Sequence, residues 1–333
     1  MPGWPTWPTM AAMDESPTDQ PGRAAPTLRG HLAIMRVDHW IKNVFVLPGV
    51  VVAMALVPAP WDALLIVRVA LGLLATGLVT SSNYVINEVI DAPYDRRHPV
   101  KCRRPVPAGL VNVPLACGQW LVLAAVGLVV AATVSWPLAI VLAGLWVMGC
   151  VYNVRPIRSK DLPYLDVLSE SVNNPLRLLA GWYMVHSGGI VPGSLIMSYW
   201  MVGAYFMGIK RLAEYRHIGP ANAEGYRRSF SYYTPARLLN SVVFYGMAAM
   251  LFFGAFIMRY RLEMILSFPL VAVVMSVYFA LGFRDDSPVQ RPETLYRQRE
   301  LMFAVVACTA AMVVLLYVDI PVLYEWFAPA YRP

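Results

Sequence analysis

The stretch SSNYVINEVIDAPYDRRHPVKCRRPVPAG, residues 81–109, decides the fold class and the chemistry, because in it a long apolar run ends in acidic and then basic side chains. Asn87, Asp91 and Asp95 recur every four residues, so on a helix they share one face. Glu88 adds a carboxylate beside them. Mg²⁺ usually takes one or two carboxylates and completes its shell with water and phosphate oxygens. The pattern therefore favours a site for Mg²⁺ and a polyphosphate over an ordinary charged loop beside a membrane helix.

The composition of the whole chain agrees with a membrane location for that stretch. The 333 residues are 58% hydrophobic and only 14% charged, which excludes an ordinary soluble domain and indicates a polytopic membrane protein. Residues 1–28 contain no apolar signal core, so we expect a disordered cytoplasmic tail before a single membrane domain at 29–333. The four cysteines have no spacing typical of zinc sites or of a disulfide framework.

Apolar windows of about 20 residues predict helices that cross the hydrocarbon core. Two neighbouring windows are separated by three residues only, so the count could differ by one. The sequence predicts an all-α integral membrane protein with nine spans, at about 43–57, 64–90, 112–134, 138–153, 163–186, 190–211, 236–257, 263–283 and 300–319.

The distribution of positive charge predicts the orientation. With these nine helices, 22 of the 27 lysines and arginines lie on one side, and cytoplasmic loops carry the basic excess. The amino terminus and the polar loops are therefore expected in the cytoplasm and the carboxyl terminus outside, as in a plasma membrane protein. Topology explains the net charge of +7, which gives no support to nucleic-acid binding.

A second acidic segment begins the fifth predicted helix. Asp166 and Glu170 are one turn apart there, and Arg177 extends the polar character deeper into the span. Ionisable groups inside a spanning helix are costly and by default mark function. An internal ion pair between Arg177 and Glu170, holding helices together, is the structural alternative.

Basic side chains stand out in two further places. Lys42 and Asn43 precede the first helix, where either a phosphate contact or an interfacial anchor would explain them. A larger group surrounds the end of the sixth helix, where the macrodipole and topology already favour cations. Arginine is also the side chain best shaped for phosphate. This group comprises Lys210, Arg211, Arg227 and Arg228, with Tyr233 as a hydroxyl donor nearby. Motifs for nucleotide hydrolysis and for a serine nucleophile are absent from the sequence.

The acidic row followed by His98-Pro99, Lys101 and Arg104-Pro105 resembles the first signature of the UbiA superfamily of membrane prenyltransferases, and Tyr152 through Asp166 resembles the second. The resemblance implies nine transmembrane helices around a central cavity with cytoplasmic cap loops. It also implies that two acidic motifs bind a diphosphate through Mg²⁺. The implied metal ligands are Asn87, Glu88, Asp91, Asp95, Asp166 and Glu170, of which Asp91, Asp95 and Asp166 are also the implied catalytic residues. The implied substrate-binding residues are Lys42, Asn43, Lys101, Arg104, Tyr152, Lys160, Arg177, Lys210, Arg211, Arg227, Arg228 and Tyr233.

Within the superfamily, the stretches 40–43, 210–214 and 227–234 are similar to the decaprenyl-phosphate phosphoribosyltransferases. That likeness implies transfer of 5-phosphoribose from phosphoribosyl diphosphate to a polyprenyl phosphate. Transfer of a prenyl group from a prenyl diphosphate to an aromatic or other lipid-precursor acceptor is the alternative enzyme. A transporter is a third hypothesis, and assembly into an oligomer is compatible with all three. Glu88, where the family pattern has Asp, and the additional acid Asp161 depart from the family pattern.

Overall fold

The computed structural model describes residues 25–57, 62–96, 101–220 and 227–327, and over these ranges its regular secondary structure is helical throughout. Its α-helices are α1 (Leu28–Ala33), α2 (Leu47–Leu56), α3 (Ala63–Asp95), α4 (Val113–Val134), α5 (Trp136–Asn153), α6 (Leu165–Ser171), α7 (Asn173–Val185), α8 (Gly193–Ile218), α9 (Pro235–Tyr260), α10 (Phe268–Gly282), α11 (Arg299–Tyr317) and α12 (Pro321–Trp326). Short 3₁₀ turns connect several of them, and the longest of these turns is Val37–Val46.

Seven segments of the described chain are long and apolar enough to cross a membrane, which confirms a helical membrane protein. They are Leu28–Leu56, Ala63–Asp95, Val113–Val134, Trp136–Asn153, Pro235–Tyr260, Leu262–Gly282 and Arg299–Tyr317. The other two predicted windows, 163–186 and 190–211, are also helical. The count of nine spans and the orientation stay predictions, and His98, Pro99 and most of the predicted tail lie outside the described residues.

Helix α3 carries the first part of the stretch quoted above, residues 81–95. Its first turn is capped by the Asp62 side chain, which accepts the backbone N–H of Leu65 at 2.8 Å. The 33 residues of α3 extend about 50 Å, whereas the hydrocarbon core is about 30 Å thick. The helix is therefore longer than one membrane span requires, and Asp91 and Asp95 lie in its last turns.

The fifth predicted span is divided into two helices, α6 and α7, at Val172. Pro175 lies in the first turn of α7 and has no N–H to donate to the Ser171 carbonyl, so one hydrogen bond of the helix is missing there. Trp200 of α8 donates its indole N–H to the Leu168 carbonyl at 3.0 Å. The short α6 carries Asp166 and Glu170, and α7 carries Arg177.

Helices α2 and α7 pack with their backbones in close approach. A Cβ atom on Gly49 would lie 2.0 Å from the Leu178 carbonyl oxygen, and one on Gly181 would lie 2.1 Å from that of Val46. Small residues at such crossings are what membrane helices use to pack closely. The approach fixes α7, and with it Arg177, against the first membrane segment.

The other end of the bundle, where α3 begins and α9 ends, has its own buried carboxylate. Glu263 is fully buried and accepts hydrogen bonds from the Ile320 backbone N–H and the Tyr324 hydroxyl, both at 3.3 Å. These contacts fasten α12 to the bundle. A cavity of about 360 Å³ at this end is lined in part by Arg68 and by none of the predicted site residues.

Candidate active site

The predicted polar residues converge at one end of the bundle, where several helices end or begin. The contributing segments are the carboxyl ends of α3, α5 and α8, helix α6, and the loops 101–111, 154–164 and 227–234. Two clusters form there, one on the first acidic motif and one on the second. Lys160 lies between them, with its Nζ atom 2.6 Å from Asp91 and 5.9 Å from the centre of the Tyr152 ring.

Asp91 is held by two cations of the loop that follows α5. Its Oδ1 atom accepts from Lys160 Nζ at 2.6 Å and from Arg158 Nη2 at 3.1 Å. Arg158 has a left-handed backbone with φ of 35°, and its Nε donates to Asp161 at 3.1 Å. Burial lowers the pKa of the Lys160 amine to about 8, although the Asp91 charge acts in the opposite direction. The loop therefore folds back to bring two cations to the first acidic motif.

Asp95 and Glu88 both bind the loop that follows α3. Arg104 Nη1 donates to Asp95 Oδ2 at 2.7 Å, and the Val106 backbone N–H donates to Glu88 Oε1 at 3.0 Å. Both carboxylates are buried. Burial also lowers the pKa of Lys101 in the same loop, against the effect of Asp95. The two acids of α3 thus fix the basic loop over the end of the helix.

Asp166 is fully buried, and donors from two segments engage both of its oxygens. Oδ1 accepts from the Tyr233 hydroxyl at 2.6 Å. Oδ2 accepts from Arg211 Nε at 3.1 Å and from the Ser229 hydroxyl at 3.2 Å, and it lies 3.5 Å from Arg227 Nε. Burial, together with the Asp166 charge, raises the pKa of the Tyr233 phenol, so this phenol stays a proton donor. Asp166 therefore ties α6 to α8 and to the loop before α9.

Arg211 is the centre of the second cluster. Its Nη1 donates to Glu214 and its Nη2 to Glu170, each at 2.9 Å, and its Nε binds the carboxylate described above. The Tyr152 hydroxyl donates to Glu170 at 2.7 Å and accepts from Arg227 Nη2 at 2.8 Å. One buried guanidinium is thus shared among three carboxylates, and this sharing fixes the relative positions of α6 and α8.

The other predicted residues differ in exposure. Asn87 is half-buried, and no described residue makes a hydrogen bond with its side chain. Lys42 is half-buried and Asn43 is buried, both in the 3₁₀ segment before α2. Lys210 is half-buried near the end of α8, whereas Arg228 is exposed. Of these residues, Arg228 is therefore the one whose side chain is not packed into the site.

Arg177 differs from the other cations of the site. The ion pair with Glu170 considered from the sequence is not formed, because Glu170 pairs with Arg211. No described carboxylate lies within 4.0 Å of Arg177, and its buried Nε has no hydrogen-bond partner. Arg177 is a residue of α7 and follows Glu170 by seven positions, about two helical turns.

The donor set of the first motif fits Mg²⁺. Over the described ranges, no group of three or more His, Cys, Asp or Glu side chains forms a cage. Mg²⁺ does not require one, because water and substrate phosphates supply most of its ligands. Asp91 pairs with its cations through Oδ1, and Asp95 pairs with Arg104 through Oδ2. The second oxygen of each carboxylate accepts no hydrogen bond from a described residue. Asp166, by contrast, has both oxygens engaged.

Two contributors to the site were assigned no role from the sequence. Glu214 follows Arg211 by three residues, a spacing that places both on one helix face and could have signalled the pair. Arg158 offered no local signal, because its contact with Asp91 depends on the left-handed turn of its loop.

Comparison with known families gives the context of this arrangement. The model of the UbiA prenyltransferase family matches residues 45–305, most of the chain. The chain belongs to the UbiA prenyltransferase family. It is a multi-pass membrane transferase, and the resemblance stated from its motifs is confirmed.

Individual relatives of this UbiA-family chain are similar along much of its length. The decaprenyl-phosphate phosphoribosyltransferase of Corynebacterium glutamicum is 30% identical over 220 residues, which cover 63% of this chain and 61% of that protein, just under two thirds of its length. The protein of the same name from Mycolicibacterium smegmatis is 29% identical over 240 residues, covering 69% and 71%. A UbiA homologue from Archaeoglobus fulgidus, solved with GPP and Mg²⁺, shares the fold, with a TM-score of 0.65, 20% identity, and coverage of 87% of this chain and 100% of that one.

Proposed function

We propose that this chain transfers 5-phosphoribose from phosphoribosyl diphosphate to a polyprenyl phosphate of the decaprenyl type, releasing diphosphate in a Mg²⁺-dependent reaction. The names of the relatives aligned over about two thirds of the chain support this reading.

The observation that carries the proposal is the division of the cations between two acidic motifs. Lys160, Arg158 and Arg104 bind the acids of α3, whereas Arg211 and Arg227 bind those of α6. One diphosphate with Mg²⁺ needs only part of this charge. The remaining positive charge is explained if two phosphorylated substrates bind. Together they carry a sugar phosphate, a diphosphate and a lipid phosphate.

The reaction requires binding and charge stabilisation from the protein and no protein nucleophile. An oxygen of the lipid phosphate forms a bond to C1 of the ribose, while the bond from C1 to the diphosphate oxygen breaks and its electron pair leaves with diphosphate. No general base is needed, because a phosphate monoester is already ionised at neutral pH. Lys160 and Arg104, each within hydrogen-bonding distance of an acid of α3, contact the leaving diphosphate. Preorganised cations of this kind stabilise charge where it develops.

Mg²⁺, when bound, would supply further charge neutralisation at the diphosphate. Asp91 and Asp95, each with one oxygen that no described residue engages, would hold it, with Asn87 one turn before Asp91 on α3. Glu170, the other predicted ligand, is bound by Arg211 and Tyr152 in the second cluster. Asp166 acts as a positioning residue in this proposal, because both of its oxygens are engaged. Glu88 fixes the loop after α3 through the Val106 backbone N–H.

The proposal includes the orientation. The site, the amino terminus and the basic loops face the cytoplasm, where a soluble sugar diphosphate is available, and the carboxyl terminus lies outside. The positive-inside distribution of lysine and arginine supports this arrangement.

A competition between donors tests the proposal. Membranes containing the chain receive ribose-labelled phosphoribosyl diphosphate, a prenyl diphosphate, a polyprenyl phosphate and Mg²⁺, and the lipid fraction is analysed. We expect label in the lipid only when the polyprenyl phosphate is present. Consumption of the prenyl diphosphate with no labelled lipid would instead establish prenyl transfer, the alternative within the family.

A further inference from the structure

Arg177 has no counter-ion among the described residues, whereas the cations that bind the two acidic motifs do. Arg104, Lys160 and Arg211 each pair with a carboxylate. Arg177 pairs with none among the described residues, and its Nε is buried without an acceptor. A charge within a membrane helix costs about 2.5–3.5 kcal/mol on insertion scales, so the isolated protein leaves this guanidinium uncompensated.

The groups that act electrostatically on Arg177 do not neutralise it. They are the phenols of Tyr84 and Tyr199 and the carboxylate of Glu170. The Tyr199 hydroxyl donates to the Phe45 carbonyl at 3.1 Å, and Glu170 is already bound by Arg211 at 2.9 Å. No described carboxylate is therefore left to neutralise Arg177.

A second orphaned polar atom lies on the same helix. Asn173 precedes Arg177 by four residues, so the two side chains share a face, and the buried Asn173 Oδ1 has no donor. Asn173 falls between Glu170 and Arg177 in that order along the chain. A ligand that supplies an anionic oxygen to Arg177 and a hydroxyl donor to Asn173 would satisfy both atoms.

The depth of Arg177 distinguishes the two substrates. It lies seven residues beyond Glu170, about 10 Å further along the helix direction into the apolar bundle. A soluble sugar diphosphate enters from the polar end, where the acidic motifs lie. An isoprenoid phosphate is anchored in the bilayer by its chain, so it enters the bundle laterally from the lipid, with its chain on the apolar side of the acidic motifs.

We propose that Arg177 binds the phosphate of the lipid acceptor. Beside it, Asn173 Oδ1 accepts a hydrogen bond from a hydroxyl of the donor ribose. This assignment rests on the proposed function, because it places the two substrates of that reaction at different depths: the sugar diphosphate at the acidic motifs and the lipid phosphate at Arg177. Arg177 is then a specificity-determining residue for a phosphorylated lipid.

Steady-state kinetics of the purified full-length chain test the assignment. For Arg177→Gln we expect the KM for polyprenyl phosphate to rise at least about tenfold, the effect of losing a charged hydrogen bond, while the KM for phosphoribosyl diphosphate changes less than about twofold. Arg177→Lys, which keeps the charge, should recover part of the loss. Arg259→Gln removes an exposed arginine near the end of α9 and should change neither constant. A rise in the donor KM alone would assign Arg177 to a donor phosphate and overturn the inference.

A binding measurement separates this inference from the proposed function. Detergent-solubilised chain is offered radiolabelled polyprenyl phosphate or the uncharged polyprenol without any donor. The wild type should bind the polyprenyl phosphate more tightly than the polyprenol, and Arg177→Gln should lose that preference. If Arg177→Gln does not fold, Arg177→Lys should show a weaker preference than the wild type. An unchanged preference in a folded variant overturns the inference. If the wild type shows the preference, the Arg177 variant loses it, and the wild type still transfers no phosphoribose, the proposed function is refuted while the role of Arg177 is supported.

Discussion

Arg211 is the residue on which the second half of the site depends, because its guanidinium is shared among Asp166, Glu170 and Glu214. Arg211→Met would leave three carboxylates in a buried cluster with one cation fewer. Breaking a buried charge network in this way costs about 3–5 kcal/mol. We expect a marked fall in the thermal unfolding midpoint in detergent and loss of transfer activity.

Arg216 on the same helix provides the control for that substitution. It is exposed and lies 4.9 Å from the Phe283 ring, a contact worth about 0.5–1 kcal/mol at such sites. Arg216→Met should therefore change the midpoint little. If the two variants unfolded at the same temperature, the interpretation of Arg211 as the hub of the cluster would be wrong.

Asp91 and Asp161 provide a matched pair of acids, because both bind Arg158 at 3.1 Å. We expect Asp91→Asn to reduce turnover at least about 100-fold at saturating Mg²⁺, as it removes a proposed metal ligand and the partner of Lys160. Asp161→Asn should change turnover only a few-fold, because Asp161 supports its own loop.

The same kinetic assay, with membrane insertion followed by immunoblot, checks both variants. Equal losses in the two would indicate that Asp161, the additional acid noted in the sequence, belongs to the metal site. Normal Mg²⁺-dependent turnover in Asp91→Asn would contradict the metal assignment itself.

At the level of elements, the crossing of α2 and α7 sets where Arg177 lies. Gly49→Ala would place a Cβ atom 2.0 Å from the Leu178 carbonyl oxygen, so the helices must separate. Overpacking of this kind typically costs about 1–3 kcal/mol. We expect a lower thermal unfolding midpoint than for the wild type.

Gly118→Ala in α4 is the control, because nothing lies within 4 Å of the Cβ it would add. Alanine is the better helix former by about 1 kcal/mol, so this change should be neutral or slightly stabilising. If Gly49→Ala were as stable as Gly118→Ala, the close approach of α2 and α7 would not hold in the membrane.

The elements also mark the limit of what the sequence predicts. Apolar windows located the helices, and the four-residue spacing of Asp91 and Asp95 correctly gave one helical face. The window at 163–186 gave no hint that Pro175 divides it, because a proline in a membrane span is tolerated where neighbouring helices satisfy the freed backbone. The contacts of Asp166 were equally hidden, because its partners Arg211 and Tyr233 come from segments at least 45 residues away.

At the level of the whole molecule, the proposed orientation can be tested by labelling on a cysteine-free background. Ser187→Cys and Ser231→Cys place single exposed thiols at opposite ends of the bundle. A membrane-impermeant maleimide should label Ser187→Cys in intact cells and Ser231→Cys only after permeabilisation. The reverse pattern would place the site outside the cell.

Transfer of phosphoribose to a lipid phosphate changes the mass of the lipid, so mass spectrometry of the product tests the proposed function. Purified chain is incubated with phosphoribosyl diphosphate and a polyprenyl phosphate of defined length, with and without Mg²⁺. We expect the lipid to gain the mass of one phosphoribosyl group, in an amount equal to the diphosphate released, and only with Mg²⁺. An unchanged lipid mass, alongside prenylation of an aromatic acceptor when a prenyl diphosphate is supplied, would contradict it.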